Sequence, residues 1–181
     1  MNWINEVREK LKRKNQILFS RDSELLHGLD ELLRQQPRRV VVLWALEWTE
    51  ETVRYLEEKY PDDNRPRNAL EATKLWAAGE VKMPVAKTEI LNCHAMAKEL
   101  SSQEDSALCH AVSQACSVVH TSGHALGYPI YELTALVRRL GIDNCREAVE
   151  KRANEYTARL VYWADHYEDS SRKWAPFLAG K

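Results

Sequence analysis

A charge bias is missing from this chain: its 181 residues carry 26 Lys and Arg against 27 Asp and Glu, for a net charge of −1. That balance removes any general electrostatic drive toward nucleic acid or an anionic membrane surface, so neither is expected as a partner. The opening run Met1-Asn2-Trp3-Ile4-Asn5-Glu6 holds no uninterrupted apolar region, and a secretory signal is not expected. Cys93, Cys109, Cys116 and Cys145 form no Cys-x-x-Cys pair; in a chain read as cytoplasmic they are expected to be reduced thiols. No stretch alternates apolar and polar residues as a strand does, and no repeat or low-complexity tract interrupts the pattern. The expected fold class is all-α, with seven or eight helices. His-Glu-x-x-His, a Gly-rich phosphate loop and a nucleophile beside a base are missing too, so no cofactor is expected.

Charge is absent locally as well. The 26 residues between Asp105 and Glu132 contain no Asp, Glu, Lys or Arg, although the chain is 29% charged. Wound as a helix, this stretch gathers Ala107, Leu108, Ala111, Val112, Ala115, Val118 and Val119 on one broad apolar side. Cys109, Cys116 and His120 fall on an adjoining face with His124 beside them. A helix apolar on most sides is one surrounded by others, so residues 106–126 are expected to form the central buried helix. His110, His120, His124 and Gln114 are too polar for a bilayer span of about 20 apolar residues.

Around that centre the spacing predicts short helices over 3–15 and 23–35, the second capped by Ser20 or Asp22. Residues 1–36 are expected to be an N-terminal helical extension packed on a main domain of residues 37–181. A long helix is predicted over 38–60, with Val41, Leu43, Trp44, Trp48, Thr52 and Tyr55 on one face. A helix capped by Asp63 or Asn64 follows, ended by Gly79, then one from Pro84 to about residue 100 and a polar connector over 101–105. A helix over 130–140 stops at Gly141. The last, over 143–169 with Asp143 or Asn144 near its cap, carries a seam of Val149, Ala153, Tyr156, Leu160, Trp163 and Tyr167.

Two clusters could carry chemistry. In the first, Asp62, Asp63, Arg65, Arg67 and Glu71 could hold an anion or a partner's charged side chain at a helix start. The plainer alternative pairs these charges internally: Asp63 with first-turn amides, Arg67 with Glu71 at i,i+4, and Arg65 left the more exposed arginine. In the second, His120 and His124 stand at i,i+4, and with Cys116 they could hold Zn²⁺ if further ligands arrived from other helices. Histidines hydrogen-bonded within a core explain the same pattern without a metal, and no metal is expected.

One segment goes further. Tyr60-Pro61-Asp62-Asp63-Asn64-Arg65-Pro66-Arg67, followed by a helix with Ala72, Glu71 and Trp76 that ends in Gly79-Glu80, resembles the signature of a bacterial family of immunity proteins. That family's pattern is a Tyr-Pro-x-Asp-x-Arg-Pro-Arg turn with a Trp-containing helix before it, here Leu43-Trp44-Ala45. A later His-x-x-x-His-Ala is matched by His120 and His124. The resemblance spans roughly residues 38–140. It implies a cytoplasmic, non-enzymatic binder that neutralises a cognate protein toxin by masking its active site. Asp62 and Asp63 with Glu50, Glu51, Glu57 and Glu58 are the nearest acidic surface for such contact, and a homodimer is left open. The competing reading is a small metal- or His-dependent hydrolase using His120, His124 and Asp63; a third is a helical scaffold within a larger assembly.

Overall fold

The computed structural model describes residues 2–168 and 171–179, and these are helical throughout with no strand among them. In chain order the helices are α1 (Trp3–Lys12), α2 (Glu24–Gln35), α3 (Arg38–Lys59), α4 (Arg65–Ala77), α5 (Met83–Glu99), α6 (Gln103–Cys116), α7 (Gly127–Leu140), α8 (Arg146–His166) and the single turn α9 (Pro176–Ala179). The anticipated last-helix end at Asp169 lies outside the described residues; α8 ends at His166.

α6 sits at the centre, packed against α3, α4, α5 and α7, and buries Ala107, Leu108, Cys109, Ala111, Val112, Ala115 and Cys116. Its limits differ from the expected 106–126. It starts earlier because Ser102 caps it, the hydroxyl accepting from the Asp105 amide at 3.2 Å. It stops at Cys116 because local polar bonds compete with the helix: the Ser113 and Ser117 hydroxyls bond back to the carbonyls four residues earlier. The chain then tightens into a 3-10 turn at Ser117–Val119. Thr121 goes extended, and its hydroxyl caps a second 3-10 turn at Ser122–His124. The apolar periodicity runs on through both turns, with Val118, Val119, Ala125 and Leu126 all buried.

The first half of α3 is as enclosed as α6. Every residue from Val40 to Ala45 is buried, and Trp44 Nε1 donates to the Tyr156 carbonyl at 2.9 Å. α8 closes the bundle through the predicted seam, with Val149, Tyr156 and Leu160 fully inside. Neither Asp143 nor Asn144 caps it; Cys145 holds that position without a side-chain bond. The α2 cap position is Ser23, rather than Ser20 or Asp22, and it makes no side-chain capping bond because its hydroxyl accepts from the Ser20 amide and donates to Glu6. α1 and the chain after it share the core: Trp3 Nε1 reaches Glu150 at 3.1 Å, and the Leu18 amide donates to Thr134 Oγ1 at 3.1 Å.

α4 ends as its glycine requires. Gly79 takes φ +76°, the Glu80 amide returns to the Leu75 carbonyl and the Gly79 amide to Trp76, a Schellman closure. The residues before α9 dock there as a strap. The Ala175 amide donates to the Ala77 carbonyl at 2.7 Å, Leu178 is fully buried, and Phe177 leans on Trp76.

Candidate functional site

The turn between α3 and α4 spends nearly every charged group of its motif on the fold. Tyr60 donates its hydroxyl to Asp105 at 2.6 Å, and Lys59 reaches the same fully buried carboxylate at 2.8 Å, tying the end of α3 to the start of α6. Burial alone would push the Asp105 carboxyl up, but Lys59, Tyr60 and Ser102 outweigh it and hold it low. The Tyr60 phenol is pushed up to about 12 by burial and by that carboxylate.

Asp63 accepts from the Arg65 amide at 3.1 Å, satisfying a first-turn donor of α4 as anticipated, and from the Arg65 guanidinium at 2.6 Å. Arg65 then forks onto Glu99 of α5 at 2.6 and 3.0 Å. It is scarcely more exposed than its neighbours: 29% of its side chain meets water, against 26% for both Asp63 and Arg67. Arg65 is thus the most exposed of the three by a narrow margin, as expected, but it is engaged in a bidentate pair supplied by a different helix.

Arg67 lies over α3, bidentate to Glu57 at 2.7 and 2.8 Å and bonded to Glu50 at 2.9 Å; Glu71, the anticipated i,i+4 partner, is the longest contact at 3.4 Å. Lys74 joins Glu50 and Glu71 at 2.9 and 2.8 Å. Burial would raise the Glu50 carboxyl, yet Lys74 and Arg67 hold it at about 2. Asp62 stays exposed at the tip of the turn.

The histidines part company with this cluster. His120 is exposed, and its carbonyl accepts from Arg38 at 3.2 Å. His124 is half-buried with Nδ1 3.0 Å from Gln114 Oε1, an atom that only accepts, so His124 carries its proton there. Burial and the neighbouring His120 depress it. With α6 ending at Cys116, His120 and His124 share no helical face, and Asp63 is committed to Arg65. Cys116 is fully enclosed, its thiol pushed by burial up to about 12. Among the described residues no three His, Cys, Asp or Glu stand together as metal ligands.

Two features lay beyond sequence reasoning in whole or in part; the sequence places Glu50, Glu51 and Glu58 on an acidic surface but not in a groove. One is a groove of about 630 Å³ along α3, where Glu47, Glu50, Glu51 and Glu58 stand among Arg54, Lys74 and Arg172, with Tyr55 and Trp163 as its aromatic wall. Its acids recur along α3, but Trp163 joins them only because α8 crosses there, donating Nε1 to Glu47 at 2.6 Å. The other is a buried knot of Glu132, Tyr156 and Arg152, in which Tyr156 donates to Glu132 and Arg152 lies 3.3 Å from it. Burial raises the Glu132 carboxyl against the pull of Arg152.

No helix among the described residues is long and apolar enough to cross a membrane. No curated protein and no solved structure matches the chain. Residues 31–159, from the end of α2 well into α8, match the family described as Imm-5 like putative immunity protein. With that match covering more than half its length, the chain belongs to the Imm-5 like immunity protein family.

Proposed function

We propose that this chain is a non-catalytic immunity protein that neutralises a cognate protein toxin by binding it in the cytoplasm of the cell that makes both. The observation carrying this reading is the family match over residues 31–159, which includes the motif turn and all of α3. The groove along α3 is the contact surface proposed. Glu47, Glu50 and Glu51 in its wall are paired with Arg159, Arg67, Lys74 and Arg152. Its acidic end at Glu58, with Tyr55 and Trp163 as half-buried aromatic anchors, is therefore the part that suits a toxin loop bearing Lys or Arg. Glu58 and Asp62 continue that acidity toward the turn and are both exposed. The motif arginines are occupied within the fold, so their role in binding is to hold this face in shape.

The test is co-expression with a toxin domain encoded beside this gene. Restored growth and a stoichiometric complex on size-exclusion chromatography are expected. The double variant Glu58→Lys/Asp62→Lys should melt like the wild type and bind at least tenfold more weakly. Failure of the wild type to protect against any adjacent toxin overturns the function; undiminished binding by the double variant overturns the groove.

A further inference from the structure

On another face of the molecule, the end of α5, the start of α6 and α7 border a partly open cleft of about 390 Å³, bounded also by Gln16 and Ile17 between α1 and α2. Its polar wall is Lys98, Gln103, Ser106, His110, Tyr131 and Arg138, and no Asp or Glu lines it. The carboxylates flanking it in sequence are all committed elsewhere. Glu99 is taken by Arg65, Glu104 by Arg139 and Tyr55, and Asp105 by Lys59 and Tyr60. Arg138 is half-buried and bonds to the carbonyls of Asn15 and Gln16, at 2.8 and 3.4 Å, and among the described residues no carboxylate pairs with it. Two cations thus line a partly open polar cleft in a chain that is otherwise balanced.

His110 adds a proton-responsive donor. Its Nδ1 lies 3.0 Å from Nδ1 of His94, so one ring donates and the other accepts, and the pair shares a single proton between those atoms. Its ring leans on Tyr131 at 5.1 Å. The charged and titratable groups around it are His94 and Lys98 on α5, Tyr131 and Arg138 on α7, and Glu104 and Asp105 on its own helix, both turned to other partners. Burial, His94 and Lys98 depress His110 to about 4.

We propose that this cleft is a binding site for a small carboxylate or phosphate anion, held by Arg138 and Lys98 and by hydrogen bonds from the Tyr131 and His110 side chains. The Ser106 hydroxyl is spent on the Ala97 carbonyl at 2.7 Å. The volume suits a small-molecule metabolite, near the lower end of ordinary ligand pockets. A bound anion favours the protonated imidazole, from which both nitrogens donate, so binding takes up a proton. Affinity then rises as pH falls, by up to about tenfold per pH unit. The site stands apart from the α3 groove, and its test uses the isolated protein, so its outcome is independent of toxin binding.

The experiment is NMR of the histidine rings while inorganic phosphate, and separately citrate, is added at fixed ionic strength set with chloride. Saturable shifts at His110 and His94, tightening from pH 7.5 to 6, are expected with one or both probes, and the probe that binds tells phosphate from carboxylate preference. Arg138→Gln should weaken binding at least tenfold. Because Arg138 also holds the chain at residues 15 and 16, Lys98→Gln, an exposed change, is the second variant and should weaken binding several-fold with unchanged melting. Shifts no larger than those from chloride with both probes, or equal affinity in wild type and both variants, would overturn the site.

Discussion

At the scale of single residues, Arg67 decides how the turn is held, and acid is the condition that exposes it. Its guanidinium lies between Glu57 and Glu50, two carboxylates that repel one another without it. Arg67→Ala should cost about 1–3 kcal/mol, since half-buried acceptors lose a charged donor, and a thermal melt reads the loss directly. Arg65→Ala should cost less, because Glu99 is largely exposed and regains water, and Asp63 keeps the bond from the backbone amide of residue 65. The pH dependence follows from the same groups. Glu50 is depressed in the folded chain to about 2, so its stabilising effect is complete above the unfolded value near 4.5 and is lost as pH falls through that window. The melting temperature is expected to drop between those limits, and Arg67→Gln should flatten the drop. An identical acid limb in both proteins would assign it to other carboxylates.

At the scale of elements, the close approach of α6 and α7 rests on Gly127. A Cβ there would stand 2.6 to 2.9 Å from three side-chain atoms of Gln114, including its own Cβ, which cannot swing aside. Alanine normally gains up to about 1 kcal/mol over glycine in a helix, but here overpacking of about 1–3 kcal/mol wins. Gly127→Ala should therefore melt lower than wild type and release His124 from Gln114, visible as a change in its ring titration. Such cross-element contacts mark where sequence reading ended. The limits of α3 and the end of α4 were legible, because Pro37, Lys59-Tyr60-Pro61 and Gly79 act through the backbone alone. The break after Cys116 was not, because apolar spacing continues while serine and threonine hydroxyls redirect the chain. Glu71 was legible as a partner for Arg67, whereas Glu57 and Glu50 depend on how α4 folds back over α3. The groove and the cleft were hidden for the same reason: each is lined by residues from several helices.

At the scale of the whole molecule, two helices rather than one form the centre. Amides of α6 and of the first half of α3 should exchange slowest, near the global unfolding free energy, and those of the exposed end of α8 much faster. Rapid exchange in α6 would remove the basis for treating it as the core. The strap should behave as its own unit, since Arg38 and Arg39 bind the carbonyls of Phe177, Leu178 and Ala179 over sequence separations of 139 to 140 residues. A chain lacking residues 174–179 is expected to keep α6 protected while the last turn of α4 exchanges faster. That arrangement also sets a timetable during synthesis. Chains emerge from the ribosome N-terminal end first, at about 5–20 residues per second, so Arg38 waits many seconds for Phe177. Arg38 meets the Val119 and His120 carbonyls sooner. Until Phe177 and the residues after it emerge, Trp76 lies without its aromatic cover and Arg39 without its carbonyl partners, a face that the mature protein conceals.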